Sequence, residues 1–525
     1  MDSFDLIVAG SGPGAAFAAY GAKGRRILML DVGIDAPPCS ELNGSAYALR
    51  RNTADLFPSL IGSQFESLHN LSHPPISLKL KSPGMSYIVR DWERLSPIRG
   101  GSFGGVLSLA KGGLANGWGA GVYRFTDRDL RGFPVDAAAL RPFYDEVEAH
   151  IGICGANDDL EPYFERDESL LPPLQLSRFF ADLLARYERA RAEARRQGAF
   201  IGRSRLAVLT QPKGGRSAYQ YGNLEFFRPR DPAIHTPAYT VDELIQSNAI
   251  DYRAGRLVLS YREVNGGVEV TSKNLETGVE EIAWARKLAL GAGAFNTGRI
   301  VLASNHDYET RLPILDNPMA FVPFFQLRRI GAREEETGTS LAQLNLILKD
   351  EASGEPLQGS FYGASGPLRS DVLFSLPLPV RAAMTWTKYL TPATGSAILF
   401  YPGVESAGNY LRLRPSGELE VNFEPLPPQA GEAQLIRLLR TLGCVCSATL
   451  IQRPPMGAAL HYAGALPMAV NPARYQTGPD GRLAGTHNVH IVDGACISRL
   501  PAKNLTFTIM ANALRIGRLM AAELA

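Results

Sequence analysis

Hydrophobic and polar positions along the chain fall into blocks whose lengths predict elements. Leu6-Ile7-Val8-Ala9 is short and unbroken, the pattern of a strand buried on both faces. A glycine turn follows, then small residues to Ala22 that read as a helix, then Ile27-Leu28-Met29-Leu30, a second buried strand ending at Asp31. Residues 35 to 95 have weak periodicity and read as connecting structure. Helical spacing returns at Asp136–Val147 and Leu176–Gln197. Arg253 to Asn274 reads as two strands around the turn Asn265-Gly266-Gly267, and Trp284 to Leu290 as another strand. That strand runs through Gly291-Ala292-Gly293-Ala294 into a helix over Asn296–Ser304. Arg381 to Leu390 suits a short amphipathic helix. Asn488 to Val492 reads as a strand, and Leu505 to Leu524 as a closing helix.

The chain has 525 residues, enough for two or more domains, and no internal repeat. A hydrophobic fraction of 45% and a charged fraction of 20% describe a soluble globular protein. A net charge of +2 gives no reason to expect nucleic acid. No apolar run is long enough to span a bilayer. The first strand begins at about residue 4, too early for a signal peptide, and five scattered cysteines suit a reducing compartment. Together these give a cytoplasmic expectation.

The first strand–turn–helix–strand unit carries chemistry. Gly10 permits the tight turn beside Ser11. Gly12 has no side chain to obstruct a pyrophosphate, and Gly14-Ala15 keeps the helix close to the strand. The helix start offers free N–H groups and a positive dipole end to phosphates. Asp31 stands about 20 residues on, where a carboxylate reaches ribose hydroxyls. A second glycine-rich stretch, Lys111 to Gly121, brings Gly112, Gly113, Asn116 and Trp118 together. Repeated glycine there implies close approach of backbone to a ligand.

Other candidates are weaker. His487 and His490 lack a third clustered ligand for zinc. Cys444 and Cys446 read as reduced core thiols. Ser365, in Gly363-Ala364-Ser365-Gly366, lacks the strand-to-helix setting of a nucleophile elbow. His461 lies among small and apolar residues and suits either a core histidine or a base. Asn504 precedes the last helix and suits either an N-cap or a substrate contact.

In order and content these segments resemble the glucose–methanol–choline (GMC) family of FAD-dependent oxidoreductases. The resemblance rests on the N-terminal fingerprint, Lys111–Val122, Leu288-Ala-Leu-Gly-Ala-Gly-Ala, His461-x-x-Gly464, and Val492-Asp493-Gly494 through Asn504-Leu-Thr-Phe-Thr-Ile-Met. It implies an α/β fold: a discontinuous, Rossmann-like FAD-binding domain (1–130, 205–305 and 455–525) with an inserted α+β substrate-binding domain (131–204 and 306–454). It implies FAD contacts at Gly10, Ser11, Gly12, Gly14, Ala15, Asp31, Gly112, Gly113, Asn116, Trp118, Val258, Ala292, Asp493, Gly494, Leu505 and Thr506. His461 matches the family's catalytic histidine and Asn504 its partner position, so the implied reaction is oxidation of a small-molecule alcohol. His461 takes the hydroxyl proton and hydride passes to flavin N5.

There are departures. The usual Gly-Gly-Ser-Ser appears as Gly112-Gly113-Leu114-Ala115, and the usual threonine after His-x-x-Gly is Ala465. Some relatives tether FAD through a histidine just before a tryptophan. Here Gly117 precedes Trp118, so FAD is expected to be non-covalent. The glycine segment and tail are similar to bacterial members acting on sugar-type and secondary-metabolite hydroxyls. Sterol-like or long-chain alcohols, and a redox-neutral lyase on the same fold, are the alternatives. The resemblance leaves the electron acceptor open.

Overall fold

The computed structural model describes residues 4–38, 42, 44–64, 78–80, 82–350, 354–364, 369, 377–425 and 431–525. Its first sheet is built around β1 (Phe4–Ala9), which pairs in parallel with β2 (Ile27–Leu30) on one side and β8 (Glu280–Leu290) on the other. Leu6, Ile7, Val8 and Ala9 are completely buried, as an unbroken apolar run requires. β5 (Ile250–Arg253) pairs in parallel with the outer edge of β2.

β8 joins two patterns. Its Glu280–Ala285 half pairs antiparallel with β7 (Gly267–Asn274), which forms a hairpin with β6 (Arg256–Val264). Its Leu288–Leu290 end pairs in parallel with β16 (Val489–Ile491). The two ends of the chain therefore meet beside one strand.

The helix Pro13–Gly21 lies against the last helix, Thr506–Glu523. Small residues allow it: a Cβ on Gly21 would sit 2.6 Å from the Leu514 carbonyl oxygen, and one on Gly517 2.3 Å from that of Ala18, while one on Gly14 would sit 2.1 Å from the carbonyl oxygen of Val492, after β16. A Cβ at Gly291 would meet that of Ala15 at 2.8 Å, so Ala15 is where the helix crosses the strand end.

The second main sheet is antiparallel throughout. Its order is β10 (Met319–Phe325), β13 (Thr394–Phe400), β12 (Pro356–Gly363), β11 (Leu344–Lys349) and β4 (Ala199–Arg203). Side chains alternate cleanly. Ala320, Val322, Phe324, Ala397 and Leu399 join a core with Phe180 and Leu183 of helix Arg178–Arg196 and Leu435 and Leu438 of helix Gly431–Thr441. The opposite face, with Phe321, Pro323, Phe325, Ser396, Ile398 and Phe400, lines a cavity. A smaller four-stranded sheet combines β3 (Ile98–Arg99), β15 (Leu419–Asn422), β14 (Tyr410–Leu413) and β9 (Leu312–Pro313). The architecture is α/β, as the family resemblance implies.

Details differ from the sequence reading. The two strands expected from Arg253 to Asn274 are a hairpin over 256–274, and a separate parallel strand, β5, precedes it. Ala254-Gly255, with Gly255 at φ +69°, breaks the run. The last helix begins at Thr506 with Leu505 as N-cap and no side-chain cap bond, so Asn504 does not cap it. Ser365, Gly366 and Cys39 lie outside the described residues. Cys444 and Cys446 are buried free thiols. His490 is buried and His487 exposed. No described helix is long and apolar enough to cross a membrane.

Candidate active site

A cavity of about 970 Å³ runs between the two main sheets, at the top of the size range of ligand pockets. One end is formed by Gly10, Ser11, Gly12, Gly14 and Asp31, at the carboxyl ends of β1 and β2. Gly113 and Ala292 stand beside that glycine turn, and Val258 and Trp118 also line the cavity. Asp493, Gly494, Leu505, Thr506, His461 and Asn504 line it too, Asp493 beside Gly14 of the fingerprint helix and His461 against Phe400 of the antiparallel sheet. Three residues expected at the cofactor do not line it. Ala15 is at the helix crossing. Gly112 donates its N–H to Ser11 Oγ at 2.9 Å. Asn116 turns inward, donating Nδ2–H to the carbonyls of Lys111 and Gly113, both at 2.8 Å.

The fingerprint end is arranged for a nucleotide. A Cβ added to Gly12 would meet nothing closer than the Gly291 carbonyl at 4.0 Å, so the space over this turn is open. Gly12 is the N-cap and provides no side-chain bond, so first-turn N–H groups are left for an anion. The Asp31 carboxylate is fixed by Ser11 Oγ–H and by Tyr252 O–H at 3.0 Å. Burial pushes its pKa up to about 6, against those hydrogen bonds and the nearby Lys111 ammonium.

Asp493 is tied to its surroundings more tightly. It accepts from the Gly293 N–H at 2.8 Å, Thr297 Oγ1–H at 2.5 Å and the Ala495 N–H at 2.9 Å. It therefore joins the start of helix Ala294–Ser304 to the turn after β16. These features fit a dinucleotide such as FAD: the glycine turn would hold its pyrophosphate and Asp31 a ribose.

At the other end, neighbours of His461 fix its chemistry. Its backbone N–H donates to Asp316 Oδ1 at 2.9 Å, and Asp316 Oδ2 accepts from the Gly457 N–H at 2.7 Å. Its ring Nδ1 lies 2.8 Å from Asn317 Oδ1. Asn317 Nδ2 donates to the carbonyls of Tyr401 at 2.7 Å and Pro501 at 2.9 Å. Two carbonyls can be satisfied only by the amide NH₂, so the Asn317 oxygen must face the imidazole. Nδ1 then carries the ring proton, and Nε2 is the ring's acceptor.

Nε2 is 3.4 Å from Asn504 Nδ2. The ring packs on Phe400, centroids 5.1 Å apart. Burial, helped by the Lys79 ammonium, pulls the His461 pKa down to about 4, so the imidazole is neutral near pH 7. Asn504 is placed by its neighbour: buried Lys503 donates to Asp129 and to the Tyr163 carbonyl at 2.7 Å.

Asp316, Asn317 and Lys79 were missed in the sequence. Asp316-Asn317-Pro318 is a polar pair before proline between apolar runs, a turn signal rather than a catalytic one. What makes it functional is the contact with a residue 144 positions later. Lys79 sits in the weakly patterned stretch, where no local rule singles out one lysine.

Residues 447–513, which contain His461, Asp493 and Asn504, match a family model described as GMC oxidoreductase. No curated protein matches the chain. Among solved structures it is similar to pyridoxine 4-oxidase from Mesorbium loti, with 12% identity, a TM-score of 0.60, and coverage of 98% of this chain and 99% of that one. At that identity the likeness is one of fold.

Proposed function

Starting from the match of residues 447–513 to the GMC oxidoreductase model, we propose that this chain is a GMC oxidoreductase that holds FAD non-covalently in the long cavity and oxidises an alcohol to an aldehyde or ketone, with His461 as the base. Bound FAD supplies the two-electron acceptor. The observation that carries the reading is the tautomer of His461: Asn317 keeps the proton on Nδ1, so Nε2 faces the cavity as a lone pair. Nε2 takes the hydroxyl proton, which raises electron density on the carbinol carbon and lets hydride leave. A positioned base of this kind contributes about 10²–10⁴-fold.

Asn504 Nδ2–H donates to Nε2 at 3.4 Å, and a substrate hydroxyl that takes over Nε2 would receive that N–H on its oxygen. A carboxamide cannot take a proton, so His461 alone does. The helix Thr506–Glu523 presents its N-terminus to the cavity, a favourable site for developing negative charge.

The substrate end is lined by Phe321, Phe325, Ile398, Phe400, Leu390 and Leu450. An apolar wall supplies few partners for a polyol, so it favours an alcohol with an apolar or aromatic body over a sugar-type substrate. Two measurements test the proposal. Purified protein should be yellow and release FAD on denaturation. An anaerobic panel of alcohols should bleach the flavin. A bound flavin that no alcohol bleaches would favour the redox-neutral alternative.

A further inference from the structure

Lys79 is the charged group in this cavity that the mechanism leaves unused. It lies on a short 3₁₀ turn, Leu78–Leu80, and lines the cavity. Its Nζ is 4.8 Å from the ring centroid of Phe226 and 5.5 Å from that of Tyr362. It also stands against the second glycine segment, since a Cβ on Gly119 would approach Nζ to 2.7 Å. The other cations on the lining have protein partners: Arg453 pairs with Glu432, Arg256 with Glu281, and Arg299 donates to Ser96 Oγ and the Pro97 carbonyl. Among the described residues, no carboxylate lies within ion-pair reach of Lys79. Two aromatic faces offset only part of the cost of desolvating an ammonium. Its field reaches His461, where it helps to depress the imidazole pKa, so the cation and the base share one end of the cavity.

We infer that Lys79 is an anion subsite of the catalytic cavity, and that the alcohol oxidised here carries a carboxylate. The inference rests on the alcohol-oxidation reading above. A monoanion fits one ammonium with no backbone nest around it. A phosphate dianion would leave a buried charge uncompensated. A polycationic substrate, such as an aminoglycoside, would be repelled. The aromatic faces of Phe226 and Tyr362 suit a flat body between the carboxylate and the hydroxyl. Burial lowers the Lys79 pKa to about 8, so carboxylate binding should weaken above that pH. The groups facing it do not titrate nearby: His461 lies at about 4, Tyr362 is raised to about 12, and Tyr123 is raised as well.

The test uses the flavin-loaded protein with a matched pair, 4-(hydroxymethyl)benzoate and 4-(hydroxymethyl)benzamide, and benzoate as a non-reacting probe read by perturbation of the flavin spectrum. Wild type should prefer the carboxylate, through KM rather than kcat. Lys79→Met should lower that preference and weaken benzoate binding by roughly 30-fold or more, the scale for stripping one partner from a buried charge pair. Lys79→Arg should retain most of both.

An unchanged preference in Lys79→Met, with both alcohols bleaching the flavin, overturns the subsite and leaves alcohol oxidation standing. A shifted spectrum of the ligand-free variant with an unchanged preference assigns Lys79 to the cofactor and also overturns it. If benzoate binds through Lys79 but neither these alcohols nor any other of the panel bleaches the wild type, the anion subsite stands while the alcohol reading, and with it the carboxylate-bearing alcohol, falls. If benzoate binding does not depend on Lys79 either, both fall.

Discussion

Replacing Asn317 with leucine keeps the volume and removes three hydrogen bonds: those to the Tyr401 and Pro501 carbonyls at 2.7 and 2.9 Å, and the one from His461 Nδ1 at 2.8 Å. Each buried carbonyl left without a donor costs about 1–3 kcal/mol, so the fold should lose roughly 2–6 kcal/mol. A domain with about 5–15 kcal/mol to spare survives that with a lowered Tm.

The kinetic effect is separate. Without its acceptor, the ring proton has no reason to stay on Nδ1. When it moves to Nε2, the lone pair points away from the substrate. With leucine in place, the Nδ1–H form is left with a buried donor and no acceptor, a penalty of about 1–3 kcal/mol against the Nε2–H form, so the rate of flavin reduction should fall by roughly 5- to 150-fold. That is less than removal of the imidazole should cause. The assay is anaerobic stopped-flow reduction at saturating alcohol, normalised to bound flavin, with Tm measured in parallel. A variant with full flavin that reduces at the wild-type rate would refute the tautomer argument, whatever its Tm.

Other consequences follow from the same geometry. Gly12→Ala should fold with little change in apo-protein Tm yet lose FAD, because its Cβ enters open space over the fingerprint turn. Gly14→Ala should lose both stability and FAD, because its Cβ would lie 2.1 Å from the Val492 carbonyl oxygen; comparing the two Tm values checks the contrast. With a neutral alcohol, the reduction rate should stay flat near pH 7 and fall only as pH approaches about 4, where His461 takes a proton and loses its lone pair. Asn504→Asp would place a carboxylate about where an amide now stands, 3.4 Å from Nε2. It should slow reduction and move the acid limb of that pH profile upward, because the negative charge stabilises imidazolium.

Much of the nucleotide end is legible in the sequence because local rules determine it. The β1–turn–helix–β2 unit, the glycines at 10, 12 and 14, and Asp31 all act within about 30 residues. Strand β8 is legible too, although its eleven residues serve three neighbours, two parallel and one antiparallel. The antiparallel sheet is harder to read. Its strands alternate core-facing and cavity-facing side chains, and both sets are apolar, as with Val322 and Phe321. Polarity therefore does not reveal which face is covered. Asn116 looks like a ligand residue from its place in a glycine segment, but its amide holds the turn together from within. Asn317 and Lys79 matter because of long-range contacts, to His461 and across to Gly119, that no window of sequence contains. Asn504 shows the reverse case. It stands where a cap is common, yet the helix starts one residue later and leaves its amide for His461.

The most direct test of His461 as the base is single-turnover flavin bleaching by an anaerobic alcohol, in wild type and in His461→Ala at equal flavin occupancy. The geometry predicts that the variant keeps FAD and bleaches about 10²–10⁴-fold more slowly. A flavin-replete His461→Ala that bleaches at the wild-type rate would contradict it.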